Sequence, residues 1–180
     1  AKEFAEMVAS GSYKLTKDII VTEPYASDFS GTFDGDGHTV TLNIAASTPN
    51  VGLFSKLAGG AVVKNVITAG SVTATGKNNV GGIAGTADGN VTIENCKNTA
   101  SIKGGKGAGG ILGYSEPGSG FVTISSCANM GSVSGTRKQV GGIAGNVVGT
   151  HIIRNCYNQG DISDGAGILG RGTKGVLVEN

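Results

Sequence analysis

VTIENCKNTASIKG at Val91–Gly104 returns as VTISSCANMGSVSG at Val122–Gly135 and as HIIRNCYNQGDIS at His151–Ser163. A more divergent copy, AVVKNVITAGSVTATG, lies at Ala61–Gly76, and GVLVEN at Gly175–Asn180 begins another. Between the copies stand glycine-rich hexapeptides: VGGIAG at Val80–Gly85, AGGILG at Ala108–Gly113 and VGGIAG again at Val140–Gly145. Self-similarity at a spacing of this size is the mark of a repeat architecture.

Each unit carries three short apolar segments: the hexapeptide, then x-V-x-I-x-N, then C-x-N-x-G-x-I. The last two alternate strictly, and β-branched residues dominate them, so they read as strands with one buried face. With Ile83, Ile111, Ile143 and Ile168 as markers, the units are separated by 28, 32 and 25 residues. Three short strands in about 25–32 residues make one coil of an all-β parallel β-helix, in which coils stack about 4.8 Å apart. Residues 13–180 are assigned to this β-helix, with the chain stopping inside a repeat. Residues 1–12 are assigned to a cap and lead-in. A helix is expected over Lys2–Ala9, with Phe4, Met7 and Val8 on its apolar face, covering the open end of the coils. Residue 1 is Ala rather than Met, and the chain is expected to be a piece of a longer one, continuing past Asn180.

Stacking predicts columns. Val63, Ile93, Ile124, Ile153 and Val178 form one; Val72, Ile102, Val133 and Ile162 a second; Phe54, Ile83, Ile111, Ile143 and Ile168 a third. Cys96, Cys127 and Cys156 form a fourth that begins with Val66, and valine in that place makes the cysteines small core hydrophobes. Asn65, Asn95, Asn155 and Asn180 align, with Ser126 standing in once, and Asn98, Asn129 and Asn158 align as well. Inward Ile93 and inward Cys96 stand three apart, so Asn95 must turn the chain in the left-handed conformation that Asn tolerates. Stacked amides in both columns would bond along the ladder.

A phosphate-binding reading of the hexapeptides fails, because no helical period and no Lys-Ser or Lys-Thr pair follows them. Their glycines are read as letting coils pack closely at a crowded corner. The net charge is +1, which implies neither nucleic acid nor a membrane surface as partner, and glycine and asparagine break every long uncharged stretch. FDGDGHTV at Phe33–Val40 has only Asp34 and Asp36 as carboxylates and reads as a turn rather than a calcium loop. His38 falls in that turn and His151 in an inward column with Val91, Val122 and Val176, where it is expected to have a satisfied ring. Asp161 and Asp164, with Arg137 and Lys138 one coil away, are the nearest thing to a catalytic group. No catalytic residue, metal or cofactor is assigned.

The combination of G-G-I-x-G, I-x-N-C-x-N and G-x-I-x-G resembles the GLUG-type repeat of bacterial surface proteins. FSGTFDGDGHTVTLNI (Phe29–Ile44) and VGLFSKLAGGAVVKNV (Val51–Val66) resemble the segment that leads into such repeats. The resemblance implies a β-solenoid in a secreted or cell-wall-attached protein, in the company of adhesins and the non-catalytic regions of immunoglobulin A-cleaving metalloproteases. It brings no catalytic residues. The expected function is therefore a non-enzymatic stalk or adhesin segment, extracellular, whose partner is a host protein such as an immunoglobulin, or a glycan. A carbohydrate-active β-helix and a pure spacer are the alternatives. Loops that differ between coils mark a binding face, and these are YSEPGSG (Tyr114–Gly120) and GTRKQ (Gly135–Gln139). Tyr114, Glu116, Arg137 and Lys138 are the candidate contacts, with Tyr157 expected to point outward beside Cys156.

Overall fold

The computed structural model describes residues 2–116, 118 and 120–179. It is a parallel β-solenoid built on three long faces. The first face stacks Ser12–Lys14, Thr32–Asp34, Val62–Lys64, Val91–Glu94, Val122–Ser125, Ile152–Arg154 and Leu177–Glu179 in that order. The second runs from Ile19–Val21 through Thr39–Ala45 and Ile67–Thr73 to Ile162–Ser163. The third runs from Tyr25–Phe29 through Phe54–Leu57, Ala84–Ala87, Leu112–Ser115 and Ala144–Val147 to Leu169–Gly172. Each hexapeptide adds a two-residue strand of its own, so Val80–Gly81, Ala108–Gly109 and Val140–Gly141 form a narrow fourth sheet at the corner before the third face.

The columns follow the register. Val63, Ile93, Ile124, Ile153 and Val178 are successive partners, and Phe33 and Tyr13 continue the column downward. Val178, in the last strand of the column, is 44% exposed, while Ile93 is fully buried between neighbours on both sides. Val72, Ile102, Val133 and Ile162 pair in turn, with Ile44 beneath.

The third column differs from expectation by one residue. Phe54 pairs with Ala84, not Ile83. Val51 still pairs with Val80, so the corner Val51-Gly52-Leu53 is one residue shorter than Val80-Gly81-Gly82-Ile83. Leu53 takes the place of isoleucine, with its N–H on the Gly82 carbonyl at 3.3 Å. Phe54 moves into a column with Tyr25, Leu112, Ala144 and Leu169.

Coil length also departs from 25–32. Tyr13 and Phe33 are paired only 20 residues apart, because the first coil passes from Val21 to Tyr25 without a glycine corner.

The cap is present but smaller than expected. The α-helix spans Lys2–Ala5, and Val8 is 65% exposed, because the helix stops before a second turn can bring Val8 over the core. Phe4 and Met7 are buried. The Phe4 ring sits 5.7 Å from Phe54, 5.8 Å from Phe33 and 6.0 Å from Tyr25, an aromatic lid on the first coils. The Tyr25 hydroxyl donates to the Met7 carbonyl at 2.8 Å and ties the lid down. No described helix is long and apolar enough to cross a membrane.

Candidate functional site

The polar side chains divide into those that hold the coils together and those that the coils display. Asn65, Asn95, Ser126 and Asn155 all lie in the left-handed region, with φ of 54°, 50°, 53° and 51°. This is the turn expected of Asn95, and it lets the chain leave the first face while Cys96 points inward. Asn95 Nδ2 donates to Asn65 Oδ1 at 2.7 Å, and Asn65 Nδ2 donates to Asp34 Oδ1 at 2.9 Å. Asn180 lies outside the described residues. A second left-handed column, Asn50, Asn79, Gly107, Gln139 and Asp164, precedes the hexapeptides.

The Asn98 ladder is buried. Thr68 Oγ1 donates to Asn98 Oδ1, Asn98 Nδ2 to Asn129 Oδ1 at 2.7 Å, and Asn129 Nδ2 to Asn158 Oδ1 at 2.7 Å. Each amide also donates to the carbonyl two residues on, at Ala100, Gly131 and Gly160. Such buried amides are acceptable only when fully bonded, as Asn98 and Asn129 are, while Asn158 at the upper end of the ladder is half-buried. The ladder explains the glycine hexapeptides. A Cβ on Gly82, Gly110 or Gly142 would fall on the amide of Asn98, Asn129 or Asn158 and on the carbonyl of the next coil.

The cysteines are thiols, all buried. The sulfur of each lies 3.2–3.3 Å from the carbonyl two residues before it. The hydrogen bond from Cys156 favours a Cys127 thiolate, but the bond that Cys127 donates to Cys96 and burial outweigh it and push the thiol up. The bond that Cys156 donates to Cys127, and burial, push Cys156 up as well. These are not nucleophiles poised for chemistry. His151 is buried with both nitrogens engaged: Nδ1 accepts from the Val122 N–H at 3.0 Å and Nε2 donates to the Val148 carbonyl at 2.7 Å. The Asp34 carboxylate takes bonds from Asn65 and from the Asp36 N–H, while Asp36 pairs with Lys14 at 3.0 Å, which makes FDGDGH a braced turn. His38 Nδ1 faces the exposed Asp18 carboxylate at 3.2 Å.

The expected contact residues are displayed at three places. On the third face, Lys56 Nζ lies 3.6 Å from Asp28, 3.6 Å from Asp88 and 3.7 Å from Glu116. Burial disfavours the Lys56 charge, but Glu116, Asp28 and Asp88 outweigh it and raise its pKa. Tyr114 is half-buried on the same face, paired with Thr86 below and Asn146 above. The second place is the corner after the second face, where exposed Arg137 and Lys138 line a groove of about 640 Å³ with Thr136, Gln139 and Asp164. The third is the second face itself, where Tyr157 is 50% exposed and Met130 is exposed nearby.

The five expected contacts thus fall on three separate surfaces. Tyr114 belongs with Glu116, Arg137 with Lys138, and Tyr157 stands apart. Pro117 and Ser119 of the Tyr114–Gly120 loop lie outside the described residues. Sequence reasoning missed Lys56 and Gln139. Lys56 sits in register between Asp28 and Thr86, a relationship that the column alignment offered once the third face was set correctly.

Three comparisons place this architecture among known proteins. The chain aligns with "Halomucin" from Haloquadratum walsbyi at 36% identity over 128 residues, 59% of this chain but 1% of that protein. The solved structure of a putative immunoglobulin A1 protease from Bacteroides ovatus superposes with a TM-score of 0.62 at 24% identity. That match covers 93% of this chain and 57% of that protein, and it supports the fold. The family model for the GLUG motif matches residues 76–103, the segment from Gly76 through the first VGGIAG and the Asn95 turn to Lys103. Over that segment the protein carries a GLUG motif, set in a β-solenoid that repeats the same plan on either side of it.

Proposed function

We propose that this chain is a rigid, non-catalytic module of a larger extracellular or cell-surface protein, presenting its sides to a host protein or a glycan. The observation that carries the reading is where the chemistry-bearing side chains go. The asparagines, His151, Asp34 and the three thiols are engaged between coils or in turns, and the displayed groups vary from coil to coil. A scaffold with uniform inner columns and changing outer positions suits recognition. The GLUG motif and the similarity to Halomucin support a surface location, and the putative immunoglobulin A1 protease makes immunoglobulin a partner to test first.

The test is a binding screen of the folded chain against immunoglobulins, extracellular-matrix proteins and a glycan array. Three variants follow, one per surface: Tyr114→Ala, Arg137→Ala with Lys138→Ala, and Tyr157→Ala. Saturable binding lost in one variant supports the reading and assigns the surface. No saturable partner in any arm overturns recognition and leaves a spacer.

A further inference from the structure

The groove at Arg137 has a structural origin. Val133 pairs with Ile162 and Gly141 with Ala166, so the same two sites are bridged in both coils. The lower coil uses eight residue steps between them and the upper coil four. Residues 135–138 therefore have no counterpart stacked above them, while Gln139 keeps its place below Asp164, and a step of about 640 Å³ opens there. Its floor is Arg137, Lys138 and Gln139, and its wall is Asp164 to Ala166.

Two features of Gln139 set it apart. Its φ is 81°, in a column that other coils fill with Asn, Gly or Asp. A side chain longer than Asn is uncommon in that conformation. Its Oε1 is shielded from solvent and has no hydrogen-bond partner among the described residues. An acceptor left in that state costs stability unless something else bonds to it. Rotation of the terminal amide would offer that oxygen to the groove.

Resting on the recognition reading above, we propose that this step binds a carboxylate-bearing sugar within an acidic glycan. Arg137 and Lys138 supply the two cations for the carboxylate, Arg137 with the planar fork that suits it. Gln139 Oε1 and the Asp164 carboxylate supply acceptors for ring hydroxyls. A purely anionic ligand such as sulfate, which has no hydroxyl to donate, would leave both acceptors facing further acceptors. A neutral sugar would leave the cations unused.

The test is titration of the ¹⁵N-labelled chain with a glucuronic-acid-containing oligosaccharide, and with the same oligosaccharide carrying glucose instead. The expected result is saturable shifts confined to residues 135–140 and 164–166 with the acidic sugar only. Arg137→Ala with Lys138→Ala should weaken binding by about tenfold or more. Gln139→Gly relieves the backbone, so it should hold or raise the melting temperature while weakening binding. Shifts of equal size with the neutral sugar, none in the groove, or full binding by Gln139→Gly would overturn the proposal. A partner found in the screen on the Tyr157 or Tyr114 surface, with a silent groove, would sink this site and leave the surface-module reading standing.

Discussion

Asn98 Nδ2 donates to Asn129 Oδ1 at 2.7 Å across two coils, in a place where neither side chain is exposed to water. Asn95 Nδ2 makes an equally short bond to Asn65 Oδ1 one turn of the coil away, on the outside. The two bonds have the same chemistry and should have very different weights. Asn129→Ala strips Asn158 Oδ1 of the Asn129 donor and Asn98 Nδ2 of one of its two acceptors, and it opens a polar void. A loss of about 2–4 kcal/mol is expected in chemical denaturation. Asn95→Gly removes one solvated bond and relaxes a left-handed residue, and should cost less than about 1 kcal/mol.

Gly110→Ala tests why the hexapeptides keep their second glycine. Its Cβ would meet the Asn129 amide and the Gly142 carbonyl, so a loss of about 3 kcal/mol is expected. Gly167 occupies the equivalent place in GAGILG at Gly165–Gly170, the divergent counterpart of the hexapeptides in the last coil, and a Cβ there meets nothing within 4 Å. Gly167→Ala should leave the melting temperature unchanged.

Phe4→Ala removes the lid ring from Phe33, Phe54 and Tyr25. A cost of about 3–5 kcal/mol is expected. Exposed Val8, although apolar and close by in sequence, should accept Ser with no measurable change.

The Asp34 carboxylate is held below the usual carboxylate range, first by the Asn65 side chain, then by the Asp36 N–H and more weakly by Lys64 and Lys14, with burial opposing. A depressed folded-state value stabilises the fold above the unfolded-state value of about 3.9, and that stability is lost as pH falls through the folded value. The melting temperature should therefore drop below about pH 4. Asp34→Asn should flatten part of that drop, because both bonds reach the same Oδ1 and an amide oxygen can accept them. A wild-type and variant pair with identical acid limbs would refute the assignment.

The buried thiols should be inert in the native protein. Ellman's reagent is expected to report all three only after denaturation, in keeping with the raised Cys127 and Cys156 values. Cys127→Val should cost less than about 1.5 kcal/mol, since Val66 already fills that column.

Alternation and column identity made most of this fold readable, because a strand with one buried face repeats its inner residues when coils stack. Asn95 illustrates how far that goes: a spacing of three between Ile93 and Cys96 was enough to require a left-handed turn. Phe54 shows where it stops. The letters VGLF and VGGI align without a gap, and only the backbone reveals that one corner is a residue shorter. Val8 misled for a related reason, since helical spacing says nothing about where a short helix ends. The partner of Gly110 is the Asn129 amide, which arrives from a different face of the same coil, so no local pattern announces it. The groove was half visible. The spacing of 25 before Ile168 marks a shortened coil, but which side of the solenoid loses the residues depends on Ala166 pairing with Gly141.

All the ladders run along one axis, and the first and last strands of the first face lie at opposite ends of it. Tension between the two ends would therefore load the inter-coil bonds lengthwise and peel strands away singly instead of shearing a whole sheet. A coil of about 28 residues that gives way would release roughly 100 Å of slack. Under load such a module would behave as a tether that yields in steps and dissipates force, while its remaining coils keep their shape.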